Sequence, residues 1–139
     1  MVSDKPMSSD KLSLSPLIAV RRVAGIGRDL VVRVPIRAGT WLTRDPVIEL
    51  DAAQCELVDR TLLGEYYLRH PDKPGWGCLA LGPTSLVNHA DRPNAKLAWS
   101  RTTEAGLVVG LEALRDLEEG QSVTLDYDHP LWFVPAAAR

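Results

Sequence analysis

With 139 residues, 45% of them apolar and 24% charged, the chain has the make-up of one globular domain that can bury a core without disulfides. The formal net charge of -2 lacks the basic excess of a general nucleic-acid binder, and no Lys/Arg run supplies a local patch, so direct nucleic-acid binding is not expected. No stretch approaches the ~20 apolar residues that cross a bilayer, and the polar start has no apolar h-region, so neither membrane association nor a secretory signal is expected.

Residues 1–15, rich in Ser, Asp, Lys and Pro, read as a flexible tail, and 16–139 as a single domain. The β-branched runs 17–23 and 30–34 flank Ala-Gly-Ile-Gly-Arg-Asp and predict strand–turn–strand. Arg37-Ala38-Gly39 predicts a turn, and 40–42 and 47–50 short strands broken at Pro46. Residues 51–69 predict the one main helix. Asp51 can cap it with Gln54 three residues on, and Cys55, Val58, Leu62 and Tyr66 recur on one face. Gly64 weakens that helix and His70-Pro71 stops it.

A Pro/Gly-rich loop follows over 71–77, then a short strand over 78–81 and a turn at Gly82-Pro83. Runs 95–99 and 106–111 predict a hairpin across the polar turn 101–104, and 123–125 another short strand. Together these predict a β-rich α+β domain: several small sheets of short strands with one main helix. Cys55 and Cys78 read as small apolar core residues of a reducing compartment, so the protein is expected to be soluble and intracellular; one disulfide between them is allowed but not demanded. With His70, His89 and His129 they match no zinc template, and no metal is expected.

Two polar pairs stand at the edges of apolar segments, where they must be hydrogen-bonded or face a site. Asn88-His89 opens Asn-His-Ala-Asp-Arg-Pro-Asn at 88–94, and Asp126-Tyr127 closes Leu-Arg-Asp-Leu-Glu-Glu-Gly-Gln-Ser-Val-Thr-Leu-Asp-Tyr at 114–127. These segments resemble the two signature motifs of SET-domain protein lysine methyltransferases, Asn-His-x-x-x-Pro-Asn and Gly-Glu-Glu-Leu-Thr-x-Asp-Tyr. A third match is Gly27-Arg28-Asp29-Leu30 followed by Ile36-Arg37-Ala38-Gly39, where the family reads Gly-x-Gly-(Leu/Val)-Phe-Ala and then Ile-x-x-Gly. Asp29 stands at the usual second glycine, and an Asp there is expected to take the positive φ better than most residues. Ala90-Asp91 replaces the usual Ser-Cys, and Ser85-Leu86 the usual Arg-aromatic pair.

The resemblance implies a SET-like fold that binds S-adenosylmethionine and methylates a lysine of a protein or peptide. It assigns the cofactor to Gly27, Arg28, Asp29, Asn88 and His89, and catalysis to Tyr127. It makes 51–84 an insert that shapes the substrate groove. The Cys-rich segment that many members carry after Asp-Tyr is replaced by His129-Pro130-Leu131-Trp132-Phe133. Residues 128–139 are therefore expected to close the site, with Trp132, Phe133 and Tyr67 as substrate-channel candidates. Tyr66 reads as core. A homodimer that completes the groove is carried as an expectation, although no exposed apolar stripe argues for it.

These residue types suit the chemistry. Lysine near neutral pH is only about 0.1% unprotonated, a deficit of about 4 kcal/mol against a neutral nucleophile. An apolar channel lowers the amine pKa by desolvation, and a tyrosine hydroxyl can orient the lone pair. Two alternatives stand beside this reading. One is a SET-like binding module with little catalysis, suggested by Asp29 and Ser85-Leu86. The other is an unrelated β-rich hydrolase using His89, Asp126 and His129, which lacks a recognisable nucleophile motif.

Overall fold

The β-branched runs on either side of Gly25 form an antiparallel hairpin, as their alternation predicts. The computed structural model describes residues 11–25 and 27–125. In it β1 (Lys11–Ser13), β2 (Ile18–Val23) and β3 (Gly27–Val32) make a three-stranded meander in that order. Gly25 and Gly27 take φ of 83° and 106° at the turn, a region open to glycine but costly for other residues. Lys11–Ser13, expected in the flexible tail, instead pairs with Ala19–Arg21. The cause is local: Leu14 and Ser15 donate their N–H groups to the Ile18 carbonyl, folding the chain back on β2.

A five-stranded antiparallel sheet runs in the order β5 (Leu68–Arg69), β6 (Gly77–Ala80), β4 (Trp41–Leu50), β9 (Gly106–Ala113), β8 (Ala95–Thr102). The expected 95–99/106–111 hairpin is present and longer, because pairing continues to Thr102 opposite Gly106. The break expected at Pro46 does not occur. β4 is one ten-residue strand, and Pro46 marks a change of partner: Trp41 to Pro46 pairs with β9, and Val47 to Leu50 with β6. A proline lacks the N–H that a two-sided ladder needs, so it sits where one ladder gives way to the next. Its carbonyl still accepts from Leu81 N at 2.9 Å.

The main helix is shorter than its apolar spacing predicts. Asp51 and Gln54 form the expected capping box, but α1 covers only Ala52–Val58. Thr61 ends it. Its hydroxyl donates to the Val58 carbonyl at 2.7 Å and accepts from Leu63 N, starting a separate 3-10 turn over Leu62–Glu65. Gly64 is pressed against the preceding backbone: a Cβ there would lie 2.9 Å from Asp59 Cα. The register of the face therefore changes. Leu62 is 74% exposed, Tyr66 is half-buried, and Tyr67, not Tyr66, is core.

The third sheet holds two very short parallel strands, β7 (Asn88–His89) and β10 (Thr124–Leu125). One apolar cluster joins all three sheets, with Ile18, Leu30, Val32, Leu42, Val109, Leu111 and Val123 among its members. A smaller one gathers Leu50, Cys55 and Tyr67 under α1. Cys55 and Cys78 are both buried thiols, and burial pushes the Cys78 pKa up to about 12. Among the described residues no helix is long and apolar enough to cross a membrane.

In the interior of a helix, replacing Gly64 by alanine would add about 1 kcal/mol. In the observed turn the new methyl meets backbone, so Gly64→Ala should instead lose about 1–3 kcal/mol, seen as a lower Tm. A raised Tm would contradict the turn.

Candidate functional site

The parallel pairing of β7 with β10 brings the two signature segments together. Asn88 lies opposite Thr124 and His89 opposite Leu125, and Ala90 N donates to the Leu125 carbonyl at 2.9 Å. The residue that precedes Asp126 is thus beside His89. Asp126, Tyr127, His129, Trp132 and Phe133 lie outside the described residues. The segment before Asn88 is fixed by β4. The buried Asp45 carboxylate accepts from Thr84 N at 2.8 Å and from the Thr43 hydroxyl at 2.8 Å, and lies against Gly82, where a side chain would strike it.

Side chains then close a ring through all three matched segments. Asn88 Nδ2 donates to the Arg28 carbonyl at 2.7 Å, tying the Asn-His pair to the glycine turn. Asn94, buried below its proline, donates from Nδ2 to the Ser122 carbonyl at 2.7 Å and accepts at Oδ1 from Thr124 N at 2.9 Å. Ser122 Oγ donates to Asp29 Oδ2 at 2.6 Å, and the same oxygen takes Arg21 Nη2 at 3.2 Å. Backbone bonds run alongside, from Val32 N to the Gln121 carbonyl and from Val123 N to the Leu30 carbonyl.

The geometry of Asp29 differs from the expectation. It sits inside β3, not in a left-handed turn; the described residues hold no positive φ outside glycine. The strain falls on Gly25 and Gly27, which leaves the Asp29 side chain to turn inward, where it is 6% exposed. Gly27 and Arg28 remain at the surface. No described atom lies within 4 Å of where a Cβ on Gly27 would stand, so its backbone is open to a ligand. His89 is exposed, with Nε2 3.3 Å from Asp91 Oδ1.

Sequence reasoning gives no role to Arg21, Ser122 or Thr124, and places Asn94 only as the end of the first signature segment. A signal was present: Ser122-Val123-Thr124-Leu125 alternates. Its apolar members enter the core and its polar members meet Asp29 and Asn94.

A cleft of about 600 Å³ lies between α1 and the 69–76 loop. Glu56, Asp59, Asp72, Tyr67, Arg69 and Trp76 are among its lining residues. Tyr67 is 4% exposed and its ring packs over Gly77, where a Cβ would come within 2.6 Å of it. His70 organises the loop. Its Nδ1 accepts from Asp72 N and Lys73 N, both at 3.0 Å, which leaves the proton on Nε2 to donate to Glu49 at 2.7 Å. Lys73 stacks over Trp76 at 4.2 Å, and Arg101 pairs with Asp72. His70 is therefore a satisfied structural histidine. Among the described residues no group of three or more His, Cys, Asp or Glu is placed to hold a metal ion.

Two stability tests follow from these bonds. Asn94→Ala strands the Ser122 carbonyl and Thr124 N, and should cost about 2–4 kcal/mol in denaturant unfolding; a loss below about 1 kcal/mol would mean the amide is not a tie. The bond from His70 holds the Glu49 pKa below its ordinary 4.5. A depressed carboxylate pKa gives stability that is present above 4.5 and lost as pH falls through the folded value. Glu49→Gln should therefore lower Tm at neutral pH and flatten the acid limb below that value. An unaltered acid limb would count against the bond.

The glycine turn and both signature segments thus meet in one interlocked site. In comparisons with known proteins, the SET domain family model matches residues 27–128, more than half of the chain. A crystal structure from Plasmodium falciparum, described as a "putative histone methyltransferase", shares the fold with a TM-score of 0.67 at 19% identity, covering 83% of this chain and 96% of that one. No curated protein sequence matches significantly. The family match, together with the ring that joins its motifs, makes this chain a member of the SET-domain family.

Proposed function

We propose that this protein is an S-adenosylmethionine-dependent methyltransferase that acts on a lysine side chain of a protein or peptide. The observation that carries the reading is the Asn88 bond to the Arg28 carbonyl beside the β7–β10 pairing. It sets the glycine turn, the Asn-His pair and the strand that leads to Asp126-Tyr127 against one another. The open backbone at Gly27 and the exposed His89 ring fit a cofactor held by Gly27, Arg28, Asn88 and His89. Asp29 contributes there through its backbone, since its carboxylate is engaged inward.

S-adenosylmethionine supplies an activated methyl group on a positively charged sulfur. The chain's own residues have to present the amine unprotonated, in line and away from water. Tyr127 is proposed to orient the amine lone pair with its hydroxyl. Trp132 and Phe133 are proposed as apolar channel walls that depress the lysine pKa by desolvation. The cleft beside α1 suits the peptide: the half-buried Trp76 offers flat apolar contact, with the buried Tyr67 supporting the floor beneath, and Glu56 and Asp59 favour a cationic chain. Localisation inside the cell is proposed with the same reading, because two buried cysteines that are not joined in a disulfide suit a reducing compartment.

The competing reading, a cofactor- or peptide-binding module with little catalysis, rests on Ser85-Leu86, which stands, and on Asp29. That residue is accommodated without backbone strain, so it offers no conformational reason for lost activity. Calorimetry with S-adenosylmethionine, followed by transfer of labelled methyl to lysine-containing peptides, decides between them. Tyr127→Phe should keep cofactor binding while lowering kcat by about 10²–10³-fold. Methylation unchanged in that variant would remove Tyr127 from its role, and no transfer by the unaltered protein would favour the binding module.

A further inference from the structure

Among the described residues, the backbone bonds that join β3 to the strand leading into Asp126-Tyr127 stop at Leu30, whose carbonyl accepts from Val123 N. Beyond that point the chain runs through Asp29 and Arg28 to Gly27, the segment proposed to face the cofactor. Two side-chain bonds hold this last stretch from that side. One is Asn88 to the Arg28 carbonyl, and the other is Ser122 Oγ to Asp29 Oδ2 at 2.6 Å. Asp29 occupies the position where the family pattern has glycine, which has no side chain to make such a bond.

We propose that Asp29 is a positioning residue: its carboxylate, locked between Arg21 and Ser122, sets the cofactor-binding turn at a fixed distance from the strand that delivers Tyr127. This inference rests on the methyltransferase reading above. Three observations support it beyond that reading. The carboxylate is buried, so its hydrogen bonds are not traded freely with water. One oxygen, Oδ2, takes both partners, and this couples β2, β3 and the 120–125 segment through a single atom. Arg21 lies directly opposite Asp29 in the β2–β3 ladder, so the cation holds the carboxylate in place instead of competing for another site. A charged acceptor makes the hydroxyl bond short and directional. The expected consequence is a pre-ordered turn, with an effect on cofactor affinity that exceeds any effect on the chemical step.

The test uses the full chain, titrated calorimetrically with S-adenosylmethionine and with its demethylated product. Variants are Asp29→Gly, Asp29→Asn, Ser122→Ala and the Asp29→Gly/Ser122→Ala double. Asp29→Gly installs the family residue and should nevertheless weaken both ligands about tenfold, with the change falling on the cofactor KM rather than on kcat. Ser122→Ala should weaken binding several-fold. The double variant should be no weaker than Asp29→Gly, because both changes remove one bond. Asp29→Asn still accepts from the Ser122 hydroxyl and should recover most of the affinity. If Asp29→Gly does not fold, the comparison of Asp29→Asn with Ser122→Ala decides.

Lower Tm in every variant with unchanged affinity would reduce Asp29 to a structural residue and overturn the proposal while leaving the methyltransferase reading intact. Additive losses in the double variant would overturn it in the same way. Failure of the unaltered protein to bind either ligand would remove the methyltransferase reading, and the positioning role with it.

Discussion

One buried amide, that of Asn94, stands in for a strand. Facing the 122–124 segment, it donates to one backbone carbonyl and accepts from one backbone N–H, as a neighbouring strand would. Irregular chain can enter a core only if its backbone groups find such partners. Near the site, the other link between the Asn-His segment and the segment that ends in Asp-Tyr is the two-residue β7–β10 pairing, and so short a ladder is weak on its own; the bonds from Leu114 N to the Asn94 carbonyl and from Arg115 to the Pro93 carbonyl lie at the far end of the second segment. The site thus depends on side chains doing what sheets do elsewhere in the molecule. Leu114 N on its carbonyl and the Thr124 hydroxyl on its N–H hold the backbone of Asn94 in place.

The parts of the fold that were legible in the sequence are those set by neighbouring residues. The Gly25/Gly27 turn, the Asp51–Gln54 capping box and the β8–β9 hairpin each need only a few consecutive side chains. The features that differ from the sequence reading rest on contacts that apolar spacing does not show. Whether the helix passes Val58 is decided by a local competition, the Thr61 hydroxyl on the Val58 carbonyl and the close approach of Gly64 to Asp59, despite the favourable spacing of Leu62 and Tyr66. Pro46 looks like a break because its missing N–H is visible in the sequence, while its two successive partner strands are not.

The site divides along the same line. Motif resemblance located the three segments, and the chain folds them together. It could not assign the inner bonds, because Ser122 and Asp29 stand 93 residues apart and neither has an obvious reason to seek the other. Departures from a family pattern are where such bonds hide. An Asp in place of a Gly looks like damage to a turn until the side chain is seen to face inward, with the turn strain borne two residues earlier. His70 gives the converse lesson. A histidine near two cysteines and several acids invites a functional reading, yet both ring nitrogens are occupied by structural partners.

The partner change at Pro46 divides labour within a single strand. The Trp41–Pro46 half is registered against β9 and so against the hairpin that carries Asn94 into place. The Val47–Leu50 half is registered against β6, which in turn holds β5 and the wall of the cleft. Residues 51–76 hang from the second half alone as far as strand register is concerned. Insertions or deletions there would reshape the cleft without sliding the first half of the ladder. Such an arrangement lets the cleft drift in sequence and length, while the ring of bonds that joins the three matched segments keeps its alignment.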